Sequence, residues 1–118
     1  MIVVESLHHI NVYSAELKKS VDFYTLFLDF ELVEETEKDA QVRFDNLTLR
    51  IYKGAARTHA TEEACLSFIL DVDDFTDALQ EIESQEIPIV QGPSEIAGGE
   101  KVLIKDPGGN IIELFYQE

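Results

Sequence analysis

The 118-residue sequence predicts an α+β fold made of two tandem βαβββ modules. Three observations predict it: short segments that alternate apolar and polar residues, an apolar stripe at helical spacing after the first strand of each half, and the same element order in both halves. Module one spans 1–53, a polar connector 54–64 and module two 65–118, within one domain of residues 1–118.

In the first half, LHHINVY (7–13) places Ile10 and Val12 on one face and His9, Asn11 and Tyr13 on the other, a half-buried strand with a polar side. Ser14 is placed to cap a helix in which Leu17, Val21, Tyr24 and Leu28 recur at spacings of four, three and four. That stripe is expected to cover Ile10 and Val12. Segments 30–36, 40–45 and 47–53 read as strands, the last two joined by a tight turn at Asp45-Asn46, a pair that tolerates left-handed backbone angles.

The second half repeats the order. CLSFILDV (65–72) is a strand, and Asp73 or Asp74 caps a helix with Phe75, Leu79 and Ile82 on one face. IPIV (87–90) reads as a short strand and QGPSEIAGG (91–99) as a flexible loop. KVLIKD (101–106) and NIIELFY (110–116) form a hairpin across Pro107-Gly108-Gly109. Ser67 follows His9 by 58 residues and Asn110 follows Asn46 by 64, the offsets of an internal repeat with a few inserted loop residues.

Apolar residues at 45% and charged ones at 28% describe a folded globular chain. Nine Lys and Arg against 24 Asp and Glu give a net charge of -15, a field that repels phosphate backbones and anionic lipid, so neither nucleic acid nor membrane is expected as a partner. No apolar run approaches the roughly 20 residues of a membrane span. The MIVVESLHH start lacks the basic and long apolar regions of a signal peptide, so a cytoplasmic location is expected. The lone Cys65 has no disulfide partner and reads as a small buried filler in a reducing compartment.

Three segments carry a family likeness: HHINVYSAELKKSVDFYTLFLDFELV, LSFILDVDDFTDALQEI and KVLIKDPGGNIIELFYQE. The most specific pieces are the H-I-x-V strand followed by an L-x-x-S-x-x-F-Y helix, and the terminal D-P-x-G-N-x-I-E-L-F. Together they resemble the vicinal oxygen chelate superfamily of glyoxalases, bleomycin resistance proteins and extradiol dioxygenases. The resemblance implies a cupped eight-stranded mixed sheet with helices on its outer face, and a homodimer, in some members with exchanged strands. Metal-dependent members place His or Glu ligands at four equivalent positions, which fall here on His9, Arg50, Ser67 and Glu113. Of these, His9 and Glu113 are able to bind a divalent metal, while Arg50 brings a permanent cation to a ligand position. The resemblance therefore implies a small-molecule-binding protein with an incomplete metal site. The alternative is a metal-dependent lyase, isomerase or dioxygenase in which His9 and Glu113 serve as ligands and catalytic groups.

Strand parity assigns the polar face without the family. If Ile10, Val12, Leu49, Ile51, Phe68, Leu70, Ile112 and Leu114 pack beneath the helices, then His9, Asn11, Tyr13, Thr48, Arg50, Tyr52, Ser67, Glu113 and Phe115 face away, with Arg43, Lys101 and Lys105. Four of the nine basic side chains thus gather on that face. Arg43 and Arg50 beside His9, Asn11, Tyr52, Ser67 and Phe115 suit a small carboxylate, phosphonate or other oxyanion, because Arg offers planar bidentate donors. The competing reading is that Arg50 neutralises Glu113. His9 has a metal or acid/base reading and a plain hydrogen-bonding one, to Asn11, a Tyr or Glu113. Glu113 reads as a general base only where burial outweighs an adjacent Arg. His8 is expected to point away from His9, and His59 to lie in solvent. The segment Asp106 to Asn110 reads as a turn.

Overall fold

The computed structural model describes residues 1–54 and 67–117. Cys65 and His59 lie outside the described residues. The chain divides into two compact units, Met1–Ala55 and Ala56–Glu118, each with its own four-stranded mixed sheet.

Unit one runs β1 (Ile10–Ser14), α1 (Leu17–Asp22), a π-helical turn (Phe23–Phe27), β2 (Glu31–Glu35), β3 (Asp39–Phe44) and β4 (Leu47–Lys53). The sheet order is β1-β4-β3-β2, with β1 parallel to β4 and the other pairs antiparallel. The apolar parity places Val12, Val42, Leu49 and Ile51 in the core, the last three with no exposed surface. Burying each such side chain contributes about 1.5–3 kcal/mol. Ile10 is only half-buried.

Strand β1 begins at Ile10 rather than Leu7. Its parallel register sets Ile10 opposite Leu49, so a strand reaching back to Leu7 would run past the start of β4 at Leu47. Ser14 ends β1 instead of capping the helix. Its buried hydroxyl accepts the Glu16 N–H at 3.1 Å and the Ser20 hydroxyl at 2.7 Å, tying strand to helix, and α1 starts at Leu17 without a side-chain cap. The predicted stripe is buried at Leu17, Val21 and Tyr24, but the helix widens at Phe23, where the Leu28 N–H reaches back five residues to the Phe23 carbonyl at 3.0 Å. The Thr25 hydroxyl donates to the Val21 carbonyl at 2.8 Å, a local competition with the helical ladder. The widened turn lets Phe23, Tyr24 and Phe30 meet edge-on in succession, with ring centroids 5.3 Å apart.

Unit two runs β5 (Ser67–Asp71), α2 (Phe75–Ser84), β6 (Ile89–Ile96), β7 (Gly99–Lys105) and β8 (Ile111–Gln117), in the sheet order β5-β8-β7-β6. Asp74 caps α2 by accepting the Asp77 N–H at 3.0 Å, and Phe75 and Ile82 are its buried face. Val102, Ile104, Ile112 and Leu114 form the apolar face of the sheet. Leu103 and Ile111, of opposite parity, are buried as well.

The stretch 91–99 is not a loop. Gly92 and Pro93, which argue against a strand in a sheet interior, are tolerated because β6 is an edge strand with register shifts on either side of Gln91. Gly99 opens β7 at a point where a Cβ would overlap the Tyr116 carbonyl group. The Asp106 to Asn110 turn is held by the buried Asp106 carboxylate, which accepts the Asn110 backbone N–H at 2.7 Å and its side-chain amide at 2.9 Å.

The repeat read from the sequence is present as paired registers. Asn11 faces Arg50 and Gln41 faces Arg50 in unit one; Ile69 faces Glu113 and Leu103 faces Glu113 in unit two.

Candidate functional site

The polar face of sheet one is organised in cross-strand rows. One row runs Glu34, Gln41, Arg50 and Asn11 from β2 to β1; a second holds Asp39, Tyr52 and Tyr13; a third holds Glu31, Arg43 and Thr48. All lie opposite in parity to the core residues Val12, Val42, Leu49 and Ile51.

Arg50 is the most constrained of these side chains. Its Nε and Nη2 donate to Asp39 Oδ2 at 2.9 and 2.7 Å, diagonally across β3 and β4. Asp39 is held in turn by the Thr36 hydroxyl, which donates to Oδ1 at 2.6 Å and accepts the Asp39 N–H at 3.1 Å. The carboxyl therefore sits below the usual carboxylate range, first through Thr36 and then through Arg50, and the guanidinium is raised chiefly by its bond to Asp39. On its other side the guanidinium lies 5.3 Å over the Tyr52 ring, which stacks on Tyr13 at 5.7 Å and 29°.

The partner of Arg50 within its own sheet is thus Asp39. Glu113, on β8, has Lys101 Nζ 3.8 Å from its Oε1. Asp39 lies one residue before the strand that the sequence predicts over 40–45, so the alternation alone does not place it on this face. Counting outward from the Asp45-Asn46 turn would have found it, since Phe44 pairs with Leu47, Gln41 with Arg50 and Asp39 with Tyr52.

The other predicted residues fall as follows. Asn11 and Arg43 are exposed on β1 and β3, and Arg43 makes no ion pair or hydrogen bond with any described residue. Tyr52 and Phe115 are half-buried, Phe115 opposite Asp71 on β5 and Lys101 on β7. Ser67 opens β5 opposite Ile111. His9 precedes β1, and its Nδ1 lies 2.8 Å from Nδ1 of His8. The expectation that His8 points away from His9 fails because strand alternation does not reach back to these residues. An open groove lined by Glu16, Lys18, Lys19, Glu35, Glu37 and Lys53 contains none of the predicted residues.

A family model described as Glyoxalase/Bleomycin resistance protein/Dioxygenase superfamily matches residues 6–114. The chain belongs to this superfamily. Solved structures share the fold. The fosfomycin resistance protein FosX of Listeria monocytogenes superposes with a TM-score of 0.81 at 16% identity, covering 98% of this chain and 96% of that one. The antibiotic binding protein TnmS3 of a Streptomyces species gives 0.73 at 18%, with all of both chains covered. Lactoylglutathione lyase of Agrobacterium tumefaciens gives 0.71 at 19%, covering 96% and 94%. Comparison with curated proteins finds no match.

Members of the superfamily commonly bind divalent metals. The residues present do not fit such a centre. Of the four implied positions, Arg50 carries a guanidinium, which has five donors and no acceptor for a metal, and its donors are directed at Asp39. Glu113 has an ammonium beside it. Among the described residues, no three His, Cys, Asp or Glu side chains gather at one point. No helix among them is long and apolar enough to cross a membrane.

Proposed function

We propose that this protein binds a small, polar, anionic molecule through the polar face of its first sheet, without the metal centre of its metal-dependent relatives. The observation that carries the reading is the pairing of one fixed and one free guanidinium. Arg50 is locked in place by Asp39, and Arg43, exposed and unpaired among the described residues, lies diagonally from it across the same two strands. Two guanidinium groups on one face offer convergent donors to an oxyanion, and Asn11 directly opposite Arg50 adds an amide. Likeness to proteins described as antibiotic-binding and fosfomycin-resistance proteins supports a small-molecule ligand. A homodimer belongs to the same reading, supported by the exposed Ile2, Val3, Val4 and Leu26.

The test is a thermal-shift screen with acetate, inorganic phosphate and methylphosphonate, run beside cationic drugs. Stabilisation by the oxyanions that disappears in Arg43→Gln is the expected result. Equal stabilisation in that variant, or none in the wild type, sinks the reading. Titration with nickel, zinc, manganese and iron completes it: stoichiometric binding lost in both His9→Ala and Glu113→Ala would transfer the chain to the metal-dependent enzymes.

A further inference from the structure

We infer that the ligand is a planar, conjugated carboxylate whose ring stacks on the free face of the Arg50 guanidinium. The inference rests on the anion-binding reading above and narrows it. Along β4, Thr48, Arg50 and Tyr52 project from the same face, so Arg50 has Tyr52 on one side and Thr48 on the other. Tyr52 stacks on Tyr13 across β1 and β4 and has the Arg50 guanidinium over its ring at 5.3 Å along β4. The edge of the guanidinium is committed to Asp39 through Nε and Nη2, which fixes its plane, and the Arg50 side chain keeps 36% of its surface exposed.

The next same-face position along β4 is Thr48, the smallest side chain on this part of the face. Arg43 stands directly opposite Thr48 on β3, and Asn11 stands opposite Arg50 on β1. A flat ring over Thr48 lies against the guanidinium on the side away from Tyr52, and a carboxylate on that ring meets the uncommitted donors of Arg43. A delocalised guanidinium favours a π-face over a saturated ring of the same size.

The experiment is calorimetric titration of the full chain with acetate, cyclohexanecarboxylate and benzoate. Benzoate is expected to bind on the order of tenfold more tightly than cyclohexanecarboxylate. Arg50→Lys keeps the charge and removes the plane; it should bring the two ring acids to within about twofold of each other. Thr48→Leu, which leaves the Asp39–Arg50 contact intact, should exclude both ring acids and spare acetate. Equal affinity for the two ring acids in the wild type, or a benzoate preference that survives both substitutions, overturns the stacking inference and leaves the oxyanion reading standing. Absence of binding by all three acids overturns both.

Discussion

Arg50 and Glu113 occupy equivalent places in the two sheets with opposite charges, and each has a diagonal partner of opposite sign. Arg50 sits between Asn11 and Gln41 and bonds Asp39; Glu113 sits between Ile69 and Leu103 and lies near Lys101. The two contacts differ in quality. Asp39 receives two hydrogen bonds of 2.9 Å or less from Arg50, whereas Lys101 Nζ stands 3.8 Å from Glu113. The first has the geometry of a charge-assisted clamp and the second that of a loose pair. Asp39→Asn and Arg50→Gln should each lower the urea midpoint, and the double variant should be little worse than either alone. Lys101→Gln should leave the midpoint nearly unchanged. A strictly additive double variant at Asp39 and Arg50 would show that the contact contributes nothing.

Acid should release the same clamp. The Asp39 carboxyl is held below its ordinary value of 3.8, chiefly by the Thr36 hydroxyl and then by Arg50. A depressed folded-state value means that the native state binds this proton less readily than the unfolded chain. The contribution is therefore fully present above the unfolded value and is lost as pH falls through the lower folded one. The gap in melting temperature between the wild type and Asp39→Asn should be constant near neutrality and close below about pH 4. Thr36→Val should narrow that gap at neutral pH, because it removes the largest cause of the shift. A gap independent of pH down to strong acid would contradict the assignment.

Backbone approach makes Gly99 far less replaceable than the other turn glycines. A Cβ there overlaps the Tyr116 carbonyl, whereas one at Gly109 meets nothing within 4 Å and is opposed only by a φ of 86°. Gly99→Ala must push β7 and β8 apart at their open end, at a cost of roughly 1–3 kcal/mol or more. Gly109→Ala costs only the left-handed backbone penalty, about 1–2 kcal/mol. Chemical denaturation of both variants checks the order, and a Gly99→Ala protein as stable as wild type would mean that the two strands part at no cost.

Much of this architecture was legible in the sequence because its signals are local and periodic. The Ile10/Val12 and Leu49/Ile51 alternation, the Asp45-Asn46 turn and the Asp74 cap each follow from a few adjacent residues, and the repeated order followed from comparing the halves. What escaped depends on partners. Whether β1 reaches Leu7 is decided by where β4 begins, and whether Gly92-Pro93 breaks a strand is decided by β6 being at an edge. The site was legible as a set of residues on one face, but not as a set of contacts. Asp39, one residue outside the expected strand, is what turns Arg50 from a free cation into a fixed one.

Charge is distributed unevenly enough to predict a stabilising substitution. Residues 58–100 contain no Lys or Arg, and α2 within that stretch ends with Glu81 and Glu83 in its last turn and no basic residue there. The carboxylates face the negative end of the helix dipole, which opposes folding. Glu83 is exposed, so Glu83→Lys removes an unfavourable charge and adds a favourable one without disturbing packing. A gain of about 0.3–1 kcal/mol is expected at low ionic strength. For the wild type, the melting temperature should rise between 10 mM and 0.5 M sodium chloride, since salt screens the repulsion of a chain carrying a net charge of -15. The advantage of the Lys variant should shrink over the same range. Its persistence at 0.5 M salt would assign the effect to helix propensity, because screening removes the electrostatic part and leaves the intrinsic preference untouched.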